Sequence, residues 1–236
     1  QAWTGFIDRE ETELAQKFVD SFLDVYGWQG KPVRARVDNT RVFAGLAAGG
    51  WSANNLPCQM EWRERYGSKV TIFLPSFRQR FEQRLPDLRR IWPASQNEDQ
   101  SYLERNSRIF LFAHESCHPV VRRQSDEQRL KSQYSPVSEV YCDVLGIYTS
   151  AKLIGRELTE KDWEFLVPGY LAWGLNRYKA ADDPTSISAY LVGEAAVLNY
   201  LLETGAMHID NGEIRLGTNE VLEQRFLPPR FYWQYS

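Results

Sequence analysis

The apolar positions fall into blocks whose spacing changes from helix to strand and back. Over 10–26, Leu14, Phe18, Phe22 and Val25 recur at helical intervals and Gly27 follows, which predicts an amphipathic helix closed by a glycine. Residues 33–37 alternate briefly and predict a strand, and the β-branched run SKVTIFLP (68–75) predicts another. Between them GLAAGGWSANNLP (45–57) is rich in Gly, Ser and Asn and reads as a loop. A helix with many Arg and Glu is expected over 76–92, followed by the polar connection PASQNEDQS (93–101).

Beyond it the pattern is helical. Residues 102–118 form a helix whose later part, Ile109 to Ala113, is apolar on every side, the mark of burial, and Pro119 is expected to end or kink it. A second largely apolar helix covers 136–154, with Pro136 near its start. Thr159 is placed to cap a further helix, which Pro168 interrupts and GYLAWGLNRY continues. DDPTS is a turn, 187–203 a long apolar helix, and MHIDNGEIRLG a hairpin around Asn211-Gly212. The expected fold is α+β: one mostly α-helical domain over 1–236 with a few short β-strands. Its N-terminal α/β portion spans about 1–92 and its helical portion about 102–206.

Composition narrows the class. Of the 236 residues 43% are hydrophobic and 14% aromatic, enough for a packed core and against disorder. The net charge of −3 gives no basic surplus, so no nucleic-acid or anionic-membrane partner is expected. No apolar run approaches a membrane span, and no secretory signal stands at the N-terminus; the chain begins at Gln1 rather than Met, so a trimmed or processed start with a removed signal is the alternative. Three scattered cysteines, Cys58, Cys117 and Cys142, make no disulfide framework; reduced thiols in a cytoplasmic setting are the expectation.

The chemistry concentrates in FLFAHESCHPVV (110–121). His114 and His118 are spaced i, i+4 and share one helix face, where two imidazoles can reach one zinc ion. Glu115 beside them can act on a metal-activated water, the HExxH arrangement. The competing reading is a buried helix that happens to carry two histidines. The chain has only three histidines, and a buried glutamate needs a partner, which a metal supplies. SEVYCDVLG places Glu139 and Asp143 on one face of the next helix, and Glu139 follows His118 by 21 positions, a gap matching the glutamate-ligand zincins. Glu139 is therefore the candidate third ligand and Asp143 the group that orients His114. The alternative for Glu139 is an acid stabilised at a helix N-terminus. Three ligands leave a fourth position open, as catalytic zinc sites do, with one Zn2+ per chain and Glu115 as general base and then acid. Cys117 faces another side of the helix and is expected in the core, and His208 at the surface.

Four segments carry a more specific likeness. ANNLPCQMEWRERYGSKVTIFLP (53–75), HESCH (114–118), SEVYCDVLGIY (138–148) and YLVGEAAVLNYLLETGA (190–206) together resemble the dipeptidyl-peptidase III family of zinc peptidases, above all its shorter relatives. The resemblance implies a mainly helical zinc domain. It also implies a strand near 69–74 that lines the cleft and offers an edge to an extended peptide, and a substrate contact from Asn55. For Asn55 the alternative is a loop residue bonded to its own backbone. Departures are clear: Ser138 stands where the family has an acid, Cys58 where it has Asn, Ala53 where it has Gly. Tyr190 stands where the family has the histidine taken to stabilise the oxyanion; its hydroxyl can donate a similar hydrogen bond, or the ring can simply pack. Arg177 and Glu194 are weaker candidates for substrate contact, with a solvated or structurally paired acid as the alternative for Glu194. These 236 residues are much shorter than a full dipeptidyl peptidase and hold no material for a second lobe, so dipeptide-counting specificity is not expected to carry over.

The leading expectation is a zinc-dependent hydrolase with a peptidase-like site, acting on a short peptide or small amide. Two alternatives stand beside it. One is a zinc-dependent lyase, isomerase or cyclase working on a small apolar or aromatic metabolite, to which Trp51, Trp163, Tyr170 and Trp173 would contribute a pocket. The other is a non-catalytic binding module that keeps the metal. Oligomeric state is not legible in the sequence.

Overall fold

A computed structural model describes residues 6–39, 52–57, 59–121, 124–180, 189–211 and 213–216. Helix α1 (Arg9–Tyr26) begins where the Asp8 side chain accepts a hydrogen bond from the Glu11 N–H at 3.1 Å. It ends at Gly27, whose φ of 79° is left-handed backbone that glycine adopts without steric cost. Its apolar face buries Phe18, Val19 and Phe22 in the main core.

Strand β1 (Val33–Asp38) runs parallel to β3 (Ser68–Phe73), and β2 (Ala53–Leu56) runs antiparallel to β3 on its other side, giving the order β1-β3-β2. β2 lies in the stretch the composition assigns to a loop. Its sequence, ANNL, has little strand propensity, and pairing with β3 supplies what propensity does not. The residues of the expected loop before Ser52 lie outside the described residues. β3 was expected to offer an edge, but it is the central strand and is paired on both sides. The outer edge of β1 is closed by α1: Ala35 N–H donates to Gln16 Oε1 at 2.7 Å, Gln16 Nε2 donates to the Val33 carbonyl at 3.1 Å, and Val37 N–H donates to Thr12 Oγ1 at 3.0 Å. Among the described residues no strand covers the outer edge of β2.

A short helix α2 (Met60–Tyr66) leads into β3, and α3 (Leu74–Ile91) leaves it with Pro75 in its first turn. A 3₁₀ turn over Pro93–Asn97 precedes the long α4 (Gln100–Val121). Pro119 does not end α4, which continues to Val121. Then come α5 (Gln124–Leu130), α6 (Tyr134–Ala151), α7 (Glu160–Ala180) and α8 (Ala189–Glu203). Pro168 likewise lies inside a continuous α7, where flanking Phe165, Leu166, Val167, Tyr170 and Leu171 are buried and packing outweighs the missing hydrogen bond. Thr159 caps α7 in a reciprocal box: Asp162 N–H donates to Thr159 Oγ1 at 3.1 Å, and Thr159 N–H donates to Asp162 Oδ2 at 2.8 Å. The DDPTS turn lies outside the described residues. Strands β4 (Met207–Asp210) and β5 (Glu213–Leu216) form the expected hairpin, with Asn211 at φ 49°.

The architecture is mostly helical with a few short strands, as expected. α4 lies at its centre, between the sheet, α1, α6 and α7, so the HESCH segment is buried among them. No helix among the described residues is long and apolar enough to cross a membrane.

Candidate metal centre

One turn of α4 presents His114 and His118 side by side, their ring centroids 4.9 Å apart and their planes nearly perpendicular at 87°. Ligand atoms of His114, Glu115 and His118 lie within 4.8 Å of one another, a group that can hold a metal ion. Across from it α6 comes unusually close. A Cβ added at Gly146 would lie 3.3 Å from the Ala113 carbonyl carbon and the His114 nitrogen, so the absent side chain is what admits this approach.

That closeness brings Glu139 and Asp143, one turn apart on α6, against the histidines. Glu139 Oε2 lies 3.2 Å from His114 Nε2 and 3.7 Å from His118 Nε2. Asp143 Oδ1 lies 2.7 Å from His114 Nδ1. Glu115 Oε2 is 3.9 Å from His118 Nε2. All five side chains are buried. Burial works against charging the His114 ring. The Asp143 carboxylate, hydrogen bonds to Asp143 and Glu139, and the Glu115 charge outweigh it and hold the imidazole well above its usual pKa. Three buried carboxylates around two imidazoles thus favour a positive charge between them.

The arrangement fits zinc. A tetrahedral zinc with ligands at about 2.0–2.1 Å keeps its ligand atoms roughly 3.3 Å apart. The two Glu139–imidazole distances bracket that value, and the Asp143 contact leaves Nε2 of His114 as the nitrogen facing Glu139.

Two contacts at this centre escape a reading of the sequence. Cys142 Sγ lies 3.2 Å from His118 Nδ1, so each histidine has a partner from α6 on the ring nitrogen away from Glu139. The only sequence signal is spacing, since Cys142 follows Glu139 by three positions and shares its face. Arg63 of α2 donates from Nη1 to the His118 carbonyl at 3.3 Å and from Nε to the Pro57 carbonyl at 2.6 Å. No local pattern marks it.

The remaining candidates are distributed as follows. Asn55 of β2 is buried and donates from Nδ2 to the Glu115 carbonyl at 3.1 Å. Glu194 of α8 is buried against α7, where a Cβ on Gly174 would lie 3.1 Å from its Oε2. Tyr190 and Arg177 fall in α8 and α7, with side chains outside the described residues. Cys117 is fully buried and donates to the Ala113 carbonyl at 3.2 Å; burial, reinforced by Asp143 and Glu115, raises its pKa and keeps the thiol neutral. His208 is exposed in β4. Of the aromatics assigned to a metabolite pocket, Trp163 and Tyr170 are 2% and 1% exposed core residues, and Trp173 lies under the Arg84 guanidinium, 2.9 Å from its ring centroid. Trp163 and Tyr170 fill the interior; Trp51 and Cys58 lie outside the described residues.

Solved structures that share this architecture include two dipeptidyl-peptidases III. Dipeptidyl-peptidase III from Caldithrix abyssi matches with a TM-score of 0.76 at 21% identity, over 94% of this chain and 46% of that one. Dipeptidyl-peptidase III from Corallococcus sp. strain EGB matches with a TM-score of 0.74 at 17% identity, over 94% of this chain and 44% of that one. The fold is dipeptidyl-peptidase III-like. The chain spans less than half the length of either dipeptidyl-peptidase III, so the likeness covers only part of those proteins. No protein-family model and no curated protein matches the sequence.

Proposed function

We propose that the chain is a zinc-dependent hydrolase with a peptidase-like site, binding one Zn2+ through His114, His118 and Glu139. The observation that carries this reading is the approach of Glu139 Oε2 to Nε2 of both histidines, with Asp143 holding Nδ1 of the first. A bound zinc would supply a Lewis acid that polarises a water and a substrate carbonyl. Glu139 is the carboxylate ligand because it lies nearer both imidazoles than Glu115 does to His118. That leaves Glu115 to accept the proton of the attacking water at its carboxylate and return it to the leaving nitrogen. Tyr190, in the helix that packs on α6, is the candidate donor to the oxyanion.

The outer edge of β2 is the place for an extended substrate. The other edge of the sheet is already closed by Gln16 and Thr12, and β2 contacts α4 directly through Asn55. A short peptide or small amide is therefore the proposed substrate class.

Metal analysis of the purified protein tests the centre, with about one zinc per chain expected. Hydrolysis of a short-peptide library then tests the reaction. Glu115→Gln is expected to keep zinc and lose at least about 100-fold in rate. Zinc retained with full activity in that variant would remove Glu115 as the base.

A further inference from the structure

Among the described residues three prolines lie past the first turn of a helix: Pro86 in α3, Pro119 in α4 and Pro168 in α7. A proline has no N–H, so each leaves the carbonyl four residues earlier without its helical donor. For Pro86 and Pro168 those carbonyls belong to Glu82 and Glu164, both exposed residues that water can reach. For Pro119 the carbonyl belongs to Glu115, which is buried at the metal centre. A buried carbonyl without a donor is costly. Here the donor is a side chain: Asn55 Nδ2 lies 3.1 Å from the Glu115 oxygen.

A second side chain reaches the same stretch of α4. The His118 carbonyl lies one turn further along α4. Arg63 Nη1 donates to it at 3.3 Å, while Arg63 Nε holds the Pro57 carbonyl at the end of β2. The carbonyls of Glu115 and His118 are thus both reached by side chains of the β2–α2 segment.

We propose that Asn55 is a positioning residue that replaces the hydrogen bond Pro119 removes, and through the Glu115 carbonyl sets the pitch of the turn carrying Glu115 and His118. Its amide reaches neither a ligand atom nor a reacting atom; it acts through the backbone of Glu115. Its effect on metal binding rests on the zinc reading above. Its effect on the helix does not.

The test is a rescue experiment with Asn55→Ala, Pro119→Ala and the double variant. In metal-free protein, Asn55→Ala is expected to lower the melting temperature by about 2–8 °C. Pro119→Ala restores a backbone N–H for the Glu115 oxygen, so adding Asn55→Ala to it is expected to cost less than half as much. If Asn55→Ala fails to fold alone and folds in the Pro119→Ala background, the rescue is shown in its strongest form. For the metal, zinc affinity by chelator competition is expected to fall about 10–100-fold in Asn55→Ala. The visible spectrum of the cobalt-loaded protein should shift with it, and both should return in the double variant. Equal losses in the two backgrounds, or a spectrum and affinity untouched by Asn55→Ala, overturn the proposal. A wild-type protein that binds no zinc defeats the zinc reading instead and leaves the metal-free rescue to decide the role of Asn55.

Discussion

Asp143 Oδ1 lies 2.7 Å from His114 Nδ1, and this contact decides which nitrogen of the ring faces Glu139. The carboxylate fixes the imidazole in orientation and tautomer and raises its basicity as a ligand. Asp143→Asn keeps the shape and removes the charge. Its zinc affinity is expected to fall about 10–100-fold, measured by competition with a chromophoric chelator. Unchanged affinity would detach Asp143 from the site.

Cys142 stands to His118 as Asp143 stands to His114, but a thiol is a weak acceptor. Cys142→Val should therefore weaken zinc binding by less than Asp143→Asn does, and Cys142→Ser, which keeps an acceptor, by less again. The same competition assay ranks the three, and a loss in Cys142→Val exceeding that of Asp143→Asn contradicts the ordering.

Gly146 sets how near α6 comes to α4. Gly146→Ala puts a methyl 3.3 Å from backbone atoms of Ala113 and His114, which cannot swing aside as a side chain would. Overpacking of this kind costs about 1–3 kcal/mol, read as a lower midpoint in urea unfolding. Zinc affinity should drop with it, because Glu139 and Asp143 are carried on the displaced helix.

Zinc is expected to stabilise the protein by mass action. Free zinc at 100 times the dissociation constant adds about 2.7 kcal/mol, and a strong chelator removes it. A melting temperature that does not respond to either addition counts against a folded-state metal site.

Asp162 gives a pH dependence away from the metal. Burial alone would raise its pKa. The Thr159 N–H and hydroxyl, and the Arg105 guanidinium, outweigh burial and hold the carboxyl below its usual value. A depressed carboxylate pKa contributes stability that is full above the unfolded value of about 3.9 and is lost as pH falls through the folded one. Wild type and Asp162→Asn should thus differ by about 1 kcal/mol at pH 6 and converge as pH falls through the folded value in urea unfolding. A gap that stays constant across that range would place the effect in packing instead of charge.

Much of this was legible in the chain. The i, i+4 spacings of His114 with His118 and of Glu139 with Asp143 put each pair on one face of its helix, because helix geometry is local. Gly27, Thr159 and Asn211 mark element ends for equally local reasons. Pro119 and Pro168 were misleading, since a proline removes one hydrogen bond while the burial of its neighbours keeps the helix whole. β2 was read as a loop because ANNL has no strand character of its own.

The sequence by itself determined which side chains share a face and which atoms could be ligands, since both follow from residue type and backbone period. Only the tertiary structure decided which faces meet. Gly146 brings α6 onto His114, Cys142 lands on the far nitrogen of His118, and Asn55, 60 residues before Glu115, supplies the donor that Pro119 withholds. Those contacts depend on distances between elements, which packing sets and no window of the chain encodes.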